Sequence, residues 1–147
     1  MGELPRQSVS VTGIVFRDDG RVLAIQRTDD GRWVPPGGVL ELSETPSDGV
    51  AREVLEETGV RVKVDRLTGV YNNMVCGVVT LAFRCYATGG QTHLTTEARQ
   101  VAWLTVDEAR KNMVEARAVR ITDALSSNGP FVRVHDGTLL LAEGQYG

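Results

Sequence analysis

The chain has 147 residues, of which 41% are hydrophobic and 24% charged, and its formal net charge is -3. This is the size and composition of one globular domain, and the charge excludes the global basic field that attracts nucleic-acid polymers. No apolar run approaches the roughly 18 residues of a membrane helix, and the N-terminal segment lacks the apolar core of a secretory signal. We therefore expect a single cytoplasmic domain over residues 1–147, with a flexible segment at residues 1–7.

The chain begins with two segments that have the pattern of strands. Residues 8–16 alternate and are rich in Val and Ile, and the apolar pattern resumes at residues 22–26 after a polar turn. This arrangement predicts an antiparallel hairpin. Residues 33–38 contain two prolines, which cannot donate to a β-ladder, so we expect a short edge segment there that leads into a loop.

A helix is predicted between Thr45 and Gly59. Thr45 suits the N-cap, Pro46 suits the first helical position, Asp48 completes a pattern like a capping box, and Gly59 suits the left-handed residue after the helix. At about 100° per residue, the mostly apolar positions form a stripe that would fasten the helix to the core, with the glutamates nearly opposite. The stripe consists of Ser47, Val50, Ala51, Val54, Leu55 and Thr58, and the glutamates are Glu53, Glu56 and Glu57.

The second half of the chain adds more strands and two helices. Strands are predicted at residues 61–64, 67–71, 75–86 and 100–104, helices at 106–111 and 116–125, and a C-terminal β-hairpin at 131–141 around Asp136-Gly137. This order predicts an α/β fold, with a mixed β-sheet and helices packed on its faces. Cys76 and Cys85 lie in a predicted strand and are expected to be reduced core cysteines.

The glutamates of the predicted helix have a spacing that suits metal ions. Glu53 is a helical neighbour of both Glu56 and Glu57, so three like charges repel one another. Arg52 is placed to reach Glu56 and relieves this repulsion only in part, whereas Mg²⁺ prefers such oxygen ligands. A solvated, glutamate-rich helix face is the competing interpretation, and the glycines on both sides of the helix argue against it.

The stretch from Gly38 to Val60, GVLELSETPSDGVAREVLEETGV, resembles the Nudix box of hydrolases that cleave nucleoside diphosphates linked to another moiety. Residues 33–36 are similar to the usual lead-in of that family, and residues 101–104 to its tryptophan-bearing strand. The resemblance implies a Nudix-type α/β/α sandwich, a mixed β-sheet with helices on both faces. It also implies Mg²⁺ or Mn²⁺ as cofactor and attack of water on a diphosphate phosphorus.

The resemblance also implies the metal ligands. Glu53, Glu56 and Glu57 are expected to bind the ions, and Glu53 is the first candidate for orienting or deprotonating the attacking water. The backbone carbonyl of Gly37 is a further candidate ligand. Glu97 stands where many family members carry a metal-binding or catalytic glutamate, and an ordinary exposed loop carboxylate is the alternative.

Other box residues are expected to hold the helix and its loop in place. Arg52 is counted with the catalytic residues, because it would orient one of the glutamates. Glu44 would pair with Arg52 and fix the loop, and Gly59 would end the helix. The chain departs from many family members at Ser43, where they have glycine, and at Gly49, where they have alanine. Ser43 is expected to supply a capping hydroxyl, and Gly49 costs the helix roughly 1 kcal/mol relative to alanine.

Candidate substrate contacts lie mostly outside the box. Arg27 is a candidate for a two-pronged contact with a phosphate, and a surface arginine beside two aspartates is the alternative. Gly38 would let a phosphate approach the loop. Tyr71 is a candidate for stacking on a base with residues 72–73, for which a turn is the alternative.

Two further features carry no expected role. His93 and His135 are isolated, with no carboxylate or serine at a diagnostic spacing, and are expected to be solvated at a loop and a strand end. The basic run at residues 110–120 is expected to form a solvated helix face.

Together these features predict a metal-dependent hydrolase that cleaves a diphosphate linkage in a nucleoside triphosphate or a nucleoside diphosphate derivative. The alternative is a nucleotide-sensing module of the same fold without hydrolysis, and the complete set of box glutamates argues against it. An isomerase of prenyl diphosphates would need a catalytic cysteine, and the apolar settings of Cys76 and Cys85 argue against that. The expected partner is a small nucleotide-type diphosphate, with no nucleic-acid polymer and no membrane, and a homodimer is open because small family members often form one.

Overall fold

The structure is a computed structural model, and it describes residues 2–142. The described residues form nine strands and three helices. In chain order these are β1 Ser8–Phe16, β2 Val22–Arg27, β3 Trp33–Val34, β4 Gly37–Val39, α1 Pro46–Thr58, β5 Val60–Asn73, β6 Val78–Gly90, β7 Ala98–Leu104, α2 Val106–Asn112, α3 Glu115–Leu125, β8 Phe131–His135 and β9 Leu140–Leu141.

The strands form one mixed sheet in the order β3-β2-β1-β6-β5-β8-β9, with β4 also paired to β1 and β7 to β2. β1 runs parallel to β6 along its whole length, and β5 runs parallel to β8. The remaining pairs are antiparallel, among them the β1–β2 and β8–β9 hairpins. The predicted mixed sheet and both predicted hairpins are therefore confirmed.

The helices cover both faces of this sheet, because alternate side chains of a strand point to opposite sides. Val11 of β1 packs in a core cluster with Val54 of α1. Ile14 of the same strand packs in a second cluster with Ala109 of α2 and Ile121 of α3. The predicted α/β/α sandwich is confirmed, with α1 on one face and the α2–α3 pair on the other.

Helix α1 has the predicted ends. The Thr45 side chain accepts a hydrogen bond from the Asp48 N–H at 3.2 Å, and Pro46 starts the helix. Gly59 has a φ of 82°, and its N–H donates to the Leu55 carbonyl at 2.9 Å. The expectation that Leu55 fastens the helix to the core was wrong, because its side chain lies at the exposed edge of the stripe. The buried positions of α1 are Gly49, Val50, Val54 and Thr58.

Two predicted strands, at residues 61–64 and 67–71, are parts of the single strand β5. Its pairing with β6 shifts register between Val64 and Arg66, so the polar residues there form an irregularity rather than a strand end. β6 starts only at residue 78, which leaves Cys76 in the preceding turn. Cys76 is exposed, so its expected core position was wrong, whereas Cys85 is buried as expected and burial raises the pKa of its thiol to about 12.

The two departures from the family pattern have local steric consequences. Ser43 has a left-handed backbone with a φ of 68°, a conformation that an L side chain disfavours. The capping hydroxyl comes from Thr45, so the expected capping role of Ser43 was wrong. A Cβ on Gly49 would lie 2.7 Å from Leu40 Cδ1 and 3.0 Å from Glu44 Oε1. The glycine therefore gives Glu44 room beside the helix.

The helices are short and amphipathic. Within residues 2–142, none is long and apolar enough to cross a membrane.

Candidate active site

A cleft of about 740 Å³ is lined by Gly38, Val39, Glu53 and Glu57 of the box together with residues from several other strands. Its acidic part contains Glu53 and Glu57 of α1 and Glu97, which directly precedes β7. Gly37 and Gly38 of β4 line the same cleft. The sequence separates these residues by up to 60 positions, and the pairing of β4 with β1 and of β7 with β2 brings them together.

Both glycines are required by the close approach of neighbouring groups. A Cβ on Gly38 would lie 2.6 Å from the carboxylate carbon and from each oxygen of Glu53. A Cβ on Gly37 would overlap the carbonyl oxygen of Val11, which belongs to the strand that β4 pairs with. The glycines thus allow a backbone segment and a carboxylate to lie against each other at the cleft surface.

Arg52 connects the loop before α1 to two of the glutamates. Its Nε and Nη2 donate to the two oxygens of Glu44 at 2.6 and 2.9 Å, so the expected pairing of these residues is present as a bidentate contact. Its Nη1 donates to Glu53 at 3.0 Å and to Glu56 at 3.2 Å. Glu44 also accepts from the Glu41 N–H at 3.1 Å, so the loop and the helix are joined through one carboxylate. The Glu44 hydrogen bond raises the pKa of Arg52, and the Arg52 hydrogen bond lowers the pKa of Glu44.

The carboxylates in the acidic part of the cleft repel one another. Burial raises the pKa of Glu57 to about 8, and the charge and hydrogen bond of Glu53 and the charge of Glu97 act in the same direction. A backbone hydrogen bond from Gly37 opposes this shift. A nearby cation would favour the ionised form of Glu57, which is the situation expected of a cation-binding site.

The donor set fits Mg²⁺ or Mn²⁺, although only part of the predicted ligand set faces the cleft. Glu56 turns toward Arg52, its side chain is 60% exposed, and it is not among the residues that line the cleft. Within residues 2–142, no three His, Cys, Asp or Glu side chains are already grouped as a complete metal site. Mg²⁺ binds proteins through one or two carboxylates and keeps several waters, so Glu53 and Glu57 with Gly37 beside them suffice as a protein donor set.

Two of the three predicted substrate contacts line the cleft. Arg27 and Gly38 do so, and Arg27 donates to both oxygens of Asp29 at 3.0 and 2.7 Å, as its alternative interpretation required. Tyr71 is fully buried, and its hydroxyl donates to Asp123 at 2.7 Å. Burial and this hydrogen bond raise the pKa of Tyr71 well above its usual value. Because Tyr71 does not line the cleft, the structure does not support a stacking role for it.

The cleft also has a basic part that was not predicted from the sequence, and it consists of Arg117, Arg120 and His135. The expectations of a solvated basic helix face and of a solvated His135 were wrong, because Arg120 and His135 are each 1% exposed. One sequence feature indicated that Arg120 would be buried. Arg120 lies four residues after Ala116 and four before Ala124, both fully buried, so it occupies the apolar stripe of α3.

Comparison with known proteins shows which family the chain is similar to. A family model described as a NUDIX domain matches residues 6–125. A MutT-like protein of Streptomyces ambofaciens is 56% identical over 140 residues, which cover 95% of this chain and 91% of that protein. An ADP-ribose pyrophosphatase of Methanocaldococcus jannaschii is 31% identical over 111 residues, 71% of this chain and 65% of that protein. The crystal structure of a NUDIX hydrolase from Nitrosomonas europaea matches with a TM-score of 0.78 at 22% identity, over 90% of this chain and 82% of that one, which supports the fold alone.

Proposed function

Because the chain belongs to the Nudix family and is a Nudix pyrophosphohydrolase, we propose that it hydrolyses a diphosphate linkage in a nucleoside triphosphate or a nucleoside diphosphate derivative, with Mg²⁺ or Mn²⁺ as cofactor. The main observation in support of this proposal is that Glu53, Glu57 and Glu97 line one cleft. Gly37 and Gly38 line the same cleft. A group of carboxylates repels an anionic diphosphate, so the substrate and the cations have to bind together.

The proposed metal-binding residues are Glu53 and Glu57, with the Gly37 carbonyl beside them. Glu97 and Glu56 complete the set, Glu56 by turning away from Arg52. Bound divalent cations supply charge neutralisation on the phosphate oxygens and lower the pKa of a bound water. Most of the rate acceleration in phosphoryl transfer comes from such positioning and charge stabilisation.

The remaining residues of the site position the reacting groups. Arg52 holds one oxygen of Glu53 at 3.0 Å, and we assign the other oxygen to orienting the attacking water and accepting its proton. Glu44 fixes Arg52 from the loop side at 2.6 Å. Gly38 leaves the space in which the Glu53 carboxylate lies. Arg27 is the proposed phosphate contact, after release from Asp29.

A substrate panel tests the proposal. The protein is incubated with Mg²⁺ or Mn²⁺ and with nucleoside triphosphates, ADP-ribose and dinucleoside polyphosphates, and all phosphorylated products, including mononucleotides, phosphate and pyrophosphate, are separated by chromatography and measured. We expect turnover of at least one compound, and a loss of kcat of about 100-fold or more in Glu53→Gln. Glu3→Gln, at an exposed glutamate outside the cleft, is the matched control and should leave kcat unchanged. No turnover of any compound contradicts the proposal, and tight nucleotide binding without product identifies the nucleotide-sensing module instead.

Cys76 is exposed and lines the cleft, so its expected apolar setting was wrong and does not exclude a prenyl diphosphate isomerase. The proposed hydrolysis uses no thiol. Cys76→Ser should therefore keep the kcat of the wild type on the best substrate of the panel, and a large loss would favour cysteine chemistry. The expected cytoplasmic location and the homodimer stay predictions, and sedimentation of the purified protein measures the second.

A further inference from the structure

The basic part of the cleft contains a buried arginine without an acidic partner. Arg120 is 1% exposed, and within residues 2–142 its side chain makes no ion pair or hydrogen bond. Its Nε is buried without a partner, and its guanidinium lies 5.0 Å from the centre of the Tyr71 ring. Burial and the charge of Arg117 lower the pKa of Arg120 to about 9. A buried charge without a counter-charge is costly to the fold, so its retention at this place calls for a ligand.

The buried aspartate of the same helix does not supply the missing charge. Asp123 accepts two hydrogen bonds from Arg133, each at 2.7 Å, and a third from the Tyr71 hydroxyl at 2.7 Å. Its carboxylate is therefore committed to Arg133, although it lies only three residues after Arg120. Tyr71 contacts both residues through different parts of its side chain. Its hydroxyl donates to Asp123, and the face of its ring contacts the Arg120 guanidinium.

Arg117 adds a second positive charge to the same part of the cleft. It stands one helical turn before Arg120, and among the described residues no ion pair includes it. Burial lowers the pKa of Arg117, and the charges of Arg27 and Arg32 lower it further, with Asp30 acting in the opposite direction. Two arginines on adjacent turns repel each other unless an anion lies between or beside them.

His135 contributes a neutral donor. Its Nδ1 accepts a hydrogen bond from the Gly137 N–H at 2.9 Å, so the neutral imidazole carries its proton on Nε2. That Nε2 is buried and has no partner. Burial first, and then the charges of Arg120 and Arg117, lower the pKa of His135 to about 4, which keeps the ring neutral at physiological pH.

We propose that Arg117, Arg120 and His135 form a subsite for an anionic group, a phosphate ester or a carboxylate, on the part of the substrate that is not hydrolysed. The inference rests on the proposed function, in which the acidic part of the cleft takes the diphosphate. All three groups are donors, and an anion offers only acceptors, whereas a nucleobase brings N–H donors as well. The subsite favours diphosphate substrates that carry a second anionic group.

Binding of inorganic phosphate to the metal-free protein tests the subsite by itself. After EDTA treatment and dialysis to remove the chelator, which is itself a carboxylate, the acidic part of the cleft has no cation and repels anions, so bound phosphate reports on the basic part. Calorimetry should detect saturable binding to the wild type, its loss in Arg120→Met, and its retention in Arg110→Met, which changes an exposed arginine of α2 outside the cleft. Sodium chloride at equal ionic strength is the reference. Absence of saturable binding, or binding that survives Arg120→Met, overturns the proposal.

Thermal unfolding separates a ligand site from a structural arginine. Phosphate should raise the melting temperature of the wild type by mass action and leave that of Arg120→Met unchanged. Without phosphate, Arg120→Met should melt no lower than the wild type, because the substitution removes an unpaired buried charge. A variant that melts far lower would show that Arg120 supports the fold. In that case Arg117→Met takes its place in the calorimetry, with the same expected loss of phosphate binding and the same refuting result.

Kinetics on the best substrate of the panel identify the source of the anion. If the subsite serves the substrate, phosphate raises KM and not kcat, and this inhibition disappears in Arg120→Met. The same variant should raise KM about tenfold with little change in kcat, as expected for lost ground-state binding.

Inhibition that lowers kcat alone would make free phosphate a regulator and overturn the substrate subsite. Guanosine that binds through Arg120 while phosphate does not would overturn it too. The calorimetry needs no turnover, so it can fail or succeed independently of the proposed hydrolysis.

Discussion

Gly38→Ala tests whether catalysis requires the Glu53 carboxylate to lie directly against the backbone of β4. The added Cβ would lie 2.6 Å from the carboxylate carbon, whereas ordinary contact begins at 3.4 Å, so the carboxylate has to withdraw by 3.4 − 2.6 = 0.8 Å. Gly38 is not among the glycines with positive φ, so alanine itself fits the local backbone. The perturbation therefore acts on the position of one functional group.

A displacement of nearly 1 Å of a catalytic group costs about 100-fold in rate, and we expect kcat/KM of Gly38→Ala to fall by about that factor. The melting temperature should change little, because the displaced atoms are the end of a flexible side chain. The assay is steady-state hydrolysis of the best substrate of the panel, with calorimetric melting in parallel. Gly89→Ala is the matched control, since a Cβ there would meet no atom within 4 Å and its φ is not positive.

A double variant checks that the effect passes through Glu53. Gly38→Ala added to Glu53→Gln should cost little beyond Glu53→Gln alone, because both changes impair the same carboxylate. The reasoning is refuted if Gly38→Ala keeps kcat/KM within about threefold of the wild type, or if the two losses multiply.

Three further predictions concern the loop before α1 and the basic part of the cleft. Arg52→Lys keeps the charge but loses the two-pronged contact, and should lower kcat/KM about 10- to 100-fold, whereas Arg17→Lys, at a similar contact on the surface, should not. Ser43→Gly relieves a left-handed φ of 68° and should stabilise the fold by about 1 kcal/mol, seen as a melting temperature about 2–4 °C higher; no rise contradicts the strain. His135 has a pKa lowered from 6.5 to about 4, so between these pH values the unfolded chain binds a proton that the folded chain does not. Stability should therefore fall by up to about 3 kcal/mol as the pH drops through this window, and denaturant unfolding of His135→Gln should show a shallower fall, equal slopes being the contrary result.

Much of the fold follows from local sequence patterns. The alternation in residues 8–16 defines β1, and Thr45, Pro46 and Gly59 define the ends of α1, because caps and periodicity act between residues close in sequence. The contact of Arg52 with Glu44, eight residues apart, was also predictable, because both residues stand at defined positions of the box. Single strands were less predictable, since the pairing of β5 with β6 carries the chain through a polar irregularity at residues 64–66 that looked like a strand end.

By itself, the sequence determined the kind of chemistry, a group of carboxylates beside glycines in a Nudix box. The tertiary structure decided which side chains face the substrate. It turned Glu56 toward Arg52 and solvent, and it placed Tyr71 in the core. It also brought Arg120 of α3 and His135 of β8 into a cleft whose Glu53 and Glu57 lie more than 60 residues earlier on α1. The physical reason is that helical periodicity defines a face but not the neighbour it meets, and a buried arginine looks the same in sequence as a solvated one until the opposing surface is known.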